Sequence, residues 1–158
     1  MKPFSESLRR LLPGVWFGVL LAIALIATPA ASMSLDRAAF GAVARAIFAR
    51  EAPTSLILGV VLLVVERRDA LARYMATGVS QFSTEMVLAI GALFCTVAGY
   101  YGLEPLMERA RAGADTPLTF MQLHAVSLVF FGAKGLMALA LAWRATRPAP
   151  RQDVRPSS

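Results

Sequence analysis

The stretch FSTEMVLAIGALFCTVAGYYGL, residues 82–103, runs for 22 residues with Glu85 as its only charge. As an α-helix it would be about 33 Å long, the thickness of a bilayer's hydrocarbon core. Three further stretches resemble it. Leu11 to about Ala31 is a mostly apolar stretch of 21 residues, Leu118 to Trp143 is one of 26 carrying His124 and Lys134, and a less regular one ends at Val65. Together they account for a hydrophobic share of 57%, a charged share of only 16% and a mean hydropathy of +0.60, a balance unlike that of a soluble domain of 158 residues. The expected fold is an all-α, integral membrane four-helix bundle with spans at about 11–31, 38–65, 82–103 and 118–143.

The least regular span needs help from upstream. Its uncharged part, Ala52 to Val65, is 14 residues and reaches only about 21 Å. Between Ala38 and Ile47, Phe40, Val43 and Ile47 recur at helical spacing, while Arg37 and Arg45 fall toward another face. This predicts one helix from about 37 to 66, N-capped by Asp36 and broken in direction near Pro53, with Arg45, Arg50 and Glu51 at the outer interface. An interfacial helix followed by a short span is the alternative. Residues 1–10 read as an N-terminal cytoplasmic segment. A short polar connection follows Glu66-Arg67-Arg68-Asp69, and the Pro- and Arg-rich tail 144–158 reads as disordered and cytoplasmic. Lys2, Arg9 and Arg10 ahead of the first span, with the small-residue Thr28-Pro29-Ala30 at its end, also fit a signal peptide, but the apolar run exceeds the usual h-region. No internal repeat and no second domain are visible.

Counting bases orients the bundle. Of 16 bases, ten lie in the N-terminal segment, the second loop and the tail, and five (Arg37, Arg45, Arg50, Arg109, Arg111) lie on the other side. Both termini are therefore expected in the cytoplasm, with the chain in a cell inner membrane. The formal charge of +6 does not point to nucleic acid, because these bases flank spans and carry no interleaved aromatic residues.

One cysteine, Cys95, and one histidine, His124, leave no material for a Cys/His zinc site, an iron–sulfur cluster or a CxxC motif. Phosphate-loop, GxGxxG, HExxH and GxSxG signatures are absent. No cofactor and no catalytic residue are therefore assigned. Met33, Met107 and Met121 on the side of His124 would permit a soft-metal site, although scattered methionines more often pack.

Ionisable groups inside a span cost about 2.5 kcal/mol or more, so they are the polar candidates to weigh. Glu85 starts the third span from its inner end and Lys134 lies 9 residues from the inner end of the fourth, a difference in depth that a long lysine narrows. A Glu85–Lys134 pair in the inner half is the expectation, with Glu85 reaching the headgroups as its alternative. His124, Ser127 and Lys134 share one helix face, and His124 reaches the level of Tyr100 and Glu104; the favoured reading is a neutral His124 donating to a backbone carbonyl or to Tyr100 with no ligand, and an outer polar pocket is the alternative. Small residues mark close helix approach: Gly14, Gly18 and Ala22 on the first span, and Ala92, Thr96 and Gly99 on the third. Packing within the chain is expected for both stripes, with a homodimer as the alternative.

Trp16, Gly18 and Pro29, the Phe40-Gly41 to Phe48 segment, "YYGLEPLMERAR" at 100–111 and "FMQLHAVS" at 120–127 resemble the bacterial members of the transmembrane protein 205-like family. The resemblance covers about residues 14–143. It implies a four-helix membrane domain of unknown biochemical function and supplies no catalytic residues. The Arg- and Ala-rich composition is similar to that of a high-GC bacterium. The functional expectation is a non-catalytic interaction or assembly component, working with the lipid bilayer and with a membrane protein partner or a second copy. A small transporter or metal- or proton-handling protein, as a homo-oligomer, is the alternative.

Overall fold

The computed structural model describes residues 2–78, 80 and 82–147. Four helical runs are long and apolar enough to cross a membrane: Phe4–Ser34, Arg37–Thr77, Thr84–Arg111 and Phe120–Ala145. The described residues contain no strand. The first run comprises α1 (Lys2–Ala22), a π-helical turn (Ile23–Ala27) and α2 (Thr28–Ser34). Next comes α3 (Arg37–Thr77), then α4 (Thr84–Thr96), a second π-helical turn (Val97–Gly102) and α5 (Glu104–Arg111), and finally α6 (Phe120–Ala145).

Local chemistry accounts for the boundaries. The Asp36 side chain accepts hydrogen bonds from the amides of Ala38 and Ala39, both at 2.9 Å, and so starts α3 as the sequence predicts. Thr119 and Gln122 form a reciprocal capping box at the start of α6. The two π turns share a cause. Pro29 and Pro105 lack an amide to offer the carbonyl four residues back, and those carbonyls belong to Leu25 and Tyr101, each inside a π turn.

Several expected boundaries move. α3 is one helix through Pro53, as expected, but it runs 41 residues, so the polar connection expected after Glu66 is three more turns of helix. Its extension is held by Arg9, which donates to Glu66 at 2.8 Å and to Asp69 at 2.9 Å, and by Arg73, which donates to Asp69 at 2.6 Å. Gly78, with φ of 70°, then ends it in the left-handed conformation that glycine adopts without steric cost. The N-terminal segment expected over 1–10 is helical from Lys2. Of the tail expected to be disordered, Arg144 and Ala145 complete α6, and 148–158 lie outside the described residues.

Around the bundle the neighbours follow the order α1, α3, α4, α6, so α3 and α6 face each other across a diagonal. Lys2 and Ala145 lie at one end, here called proximal; the α2–α3 and α5–α6 connections form the distal end. The core sits in the proximal half and consists of Trp16, Leu20, Leu62, Ala89, Ala92, Ala138 and Leu141. Only part of the small-residue prediction holds. A side chain at Gly99 would meet Phe130 of α6 at 2.7 Å, and Ala92 and Thr96 are buried, so this stripe seats α6. Gly14 and Gly18 have nothing within 4 Å and Ala22 is exposed, so among the described residues no helix packs against the first stripe. Its face is turned outward because α1 approaches the bundle through Trp16 and Leu20 instead.

Candidate functional site

α3 and α6 both start at the distal end and run in the same direction. Glu51 lies about four turns, or 21 Å, along α3, and Lys134 the same distance along α6. They therefore meet at equal depth. Lys134 Nζ donates to Glu51 Oε1 at 2.6 Å, with both side chains buried. The same carboxylate oxygen accepts a short hydrogen bond from Ser55 Oγ, one turn further along α3. Ser55 Oγ in turn accepts from Trp16 Nε1 at 2.8 Å. Lys134 also stands over the Phe131 ring, 5.1 Å from its centroid. One relay thus ties α1, α3 and α6 together, and it supplies the partners that make a charge tolerable at this depth.

This arrangement corrects two readings. Glu51, expected at the outer interface with Arg45 and Arg50, is buried, because the helical phase of α3 turns Arg50 outward and Glu51 toward α6, while Arg45 stays exposed on the cavity side of the helix. Lys134 does not pair with Glu85. Glu85 occupies the first turn of α4 at the proximal end and is held by Arg144, with Nη2 at 2.8 Å and Nε at 2.9 Å. Arg144 lies ten residues beyond Lys134 on α6, and that spacing is the difference in depth which the lysine stem would have had to bridge.

Above the Glu51–Lys134 pair the distal half opens into a cavity of about 500 Å³. Its walls come from α3, the end of α4 with its π turn, α5 and α6, and none of its lining residues belongs to the first helix. The cavity collects Tyr100, Glu104, His124, Ser127 and Lys134 of the polar candidates. The π turn carries Tyr100 to the wall, where its ring meets Tyr101 edge-on at 5.1 Å. Glu104 is held by Arg111 at 3.2 Å, and the Arg111 guanidinium lies 4.9 Å from the Phe120 ring centroid. His124 stacks on Phe120 at 6.1 Å, and no hydrogen bond among the described residues joins it to Tyr100. Met107 and Met121 line the cavity with His124; Met33 does not. Phe48 and Phe131 cross the diagonal above the ion pair, edge to face at 5.6 Å.

The two carboxylates of this wall are engaged. Glu51 serves two donors, Glu104 serves Arg111, and Thr96 Oγ1 donates to the Ala92 carbonyl at 2.9 Å. Among the described residues no group of three His, Cys, Asp or Glu side chains is placed to hold a metal ion. The cavity has a floor. Below the ion pair the apolar core is continuous, so the polar lining does not extend to the proximal end.

Fold and cavity define a multi-pass membrane protein: four membrane-crossing helices, a packed proximal half and a hollow distal half. The chain belongs to the family of the domain of unknown function DUF4149, whose model matches residues 11–116. That match takes in Trp16, Glu51, Ser55 and Glu104 and ends before α6, so His124 and Lys134 lie outside it. No curated protein and no solved structure matches the chain.

Proposed function

We propose that this chain is a non-catalytic binding component of a bacterial inner membrane, and that the distal cavity is where it takes up a membrane-dissolved ligand. The observation that carries this reading is the cavity's closed end. A cavity of about 500 Å³ within a half-hollow bundle has the size of a ligand site, and an ion pair whose members are already satisfied forms its base. Beyond that base the relay ends at Ser55 and the Trp16 indole N–H, and Leu62, Ala89 and Leu141 stand between it and the Arg9–Glu66 pair at the proximal end, which supports a closed cavity over a continuous path for ions or protons. Chemistry would need a nucleophile beside a free base, and Glu51 and Glu104 are both committed to cations. The outward Gly14–Gly18–Ala22 face supports contact with a partner helix or a second copy. The resemblance to the transmembrane protein 205-like family fits the same architecture.

The test is retention of a ligand. Native mass spectrometry of protein released from its membrane in mild detergent should show a bound small molecule. Ser127→Trp, which fills the cavity from α6, should run at bare chain mass while keeping its melting temperature. A wild-type chain that carries nothing, and that gains no thermal stability from any membrane extract, overturns the proposal.

The excess of bases at the proximal end supports an orientation with both termini in the cytoplasm and the cavity in the outer leaflet. Alkaline phosphatase fused after Ser158 should be inactive and after Ala114 active; the reverse pattern would invert the bundle.

A further inference from the structure

Arg37 and Arg45 both line the distal cavity, and neither forms an ion pair with any described residue. They lie about two turns apart on α3, Arg37 at its first residue. Arg45 Nη1 reaches back to within 3.9 Å of the point where a side chain at Gly41 would begin, one turn closer to Arg37. Gly41 leaves that space open. Elsewhere in the cavity the charges cancel, Lys134 against Glu51 and Arg111 against Glu104. The two free guanidinium groups are therefore the cavity's uncompensated charge, set at its mouth above walls made of Phe48, Leu128 and Phe131. Two planar cations above an aromatic, aliphatic wall match a molecule with an anionic head and a hydrocarbon tail.

We propose that the distal cavity binds an anionic amphiphile, its phosphate or carboxylate head between Arg37 and Arg45 and its tail along Phe48, Leu128 and Phe131. This rests on the cavity being a ligand site, and adds the chemical class of the ligand. The tail has an exit. The first helix contributes nothing to the lining, and neither its π turn nor α2 has a buried residue, so a chain longer than the cavity leaves between α3 and α6 into the surrounding lipid. Metal cations and cationic drugs are disfavoured by the same charge excess, which draws a headgroup in while the apolar wall retains the tail.

The experiment reads tail position and head preference together. Chains carrying Phe48→Trp, with Trp143→Phe to remove the exposed indole, are placed in phosphatidylcholine nanodiscs doped with one brominated lipid at a time. Brominated phosphatidylglycerol should quench the new indole at about tenfold lower mole fraction than brominated phosphatidylcholine. In the Arg37→Gln/Arg45→Gln background that preference should fall to parity with the melting temperature unchanged. Arg67→Gln/Arg68→Gln, which removes two bases at the proximal end, should leave it intact; an equal loss there would make the effect general surface charge and overturn the inference. A brominated fatty acid matching phosphatidylglycerol assigns the head as any carboxylate or phosphate, whereas phosphatidylglycerol acting alone assigns a phosphate, and either supports the site. Equal quenching by both phospholipids in the parent overturns the anionic class and leaves the cavity a ligand site. No quenching by any lipid overturns both.

Discussion

Lys134→Met should lower the unfolding free energy by about 3–5 kcal/mol, the largest loss expected from a single substitution in this chain. The methionine fills much the same volume, so the cost is electrostatic: Glu51 would lose its cation and stand among buried side chains with only the Ser55 hydroxyl to hold it. Glu51→Gln on the Lys134→Met background should then recover at least half of the loss. The amide oxygen still accepts from Ser55, Trp16 keeps its acceptor, and no unpaired charge remains. Because Glu51→Gln alone would also strand a buried charge, the coupling between the two sites should be at least about 2 kcal/mol. Glu85→Gln should add to Lys134→Met independently, because Glu85 is paired with Arg144 at the proximal end. Unfolding by increasing mole fraction of sodium dodecyl sulfate in mixed micelles measures all of these; coupling of Lys134 to Glu85 and none to Glu51 would refute the arrangement.

Gly59→Ala should cost about 1–3 kcal/mol, against the ordinary preference of a helix for alanine. A Cβ there would stand 2.6 Å from Leu93 Cδ2 and 2.9 Å from Trp16 Cη2. Leucine can rotate away; the indole cannot. Trp16 is fully buried and its Nε1 is tied to Ser55, so the added methyl must either push α1 from α3 or break the relay that ends at Lys134. Gly18→Ala provides the contrast. With nothing within 4 Å of its Cβ, it should be neutral or slightly stabilising in the same titration. Equal effects of the two substitutions would mean that Gly59 does not set the approach of α1, α3 and α4.

Both predictions concern residues that the sequence places poorly. Glu51 stands among Arg45, Arg50 and Pro53 in a stretch that looks interfacial, and nothing local distinguishes it from its charged neighbours. A signal was nevertheless present. Asp36 and Thr119 are readable N-caps, and counting four turns from each brings Glu51 and Lys134 to the same depth on helices running the same way. Depth measured from the proximal ends, where boundaries are blurred by the extension of α3 to Thr77, points to Glu85 instead. Gly59 was equally inconspicuous, since a lone glycine in an apolar helix carries no repeat. The Gly14–Gly18–Ala22 repeat was conspicuous, and no helix among the described residues packs against it. The face shared by His124, Ser127 and Lys134 follows from helical phase alone, and all three line one cavity.

The amino-acid sequence by itself determined the four crossings, since transfer of a helix into lipid sums over its own residues and needs no partner. Its capping chemistry determined where α3 and α6 begin. Which charge meets Lys134, which small-residue face is covered and where the bundle stays hollow were decided only by the tertiary structure. Those outcomes depend on the relative depth and rotation of helices far apart in the chain, and a depth error of a few residues, such as the one separating Glu85 from Lys134, exchanges one partner for another.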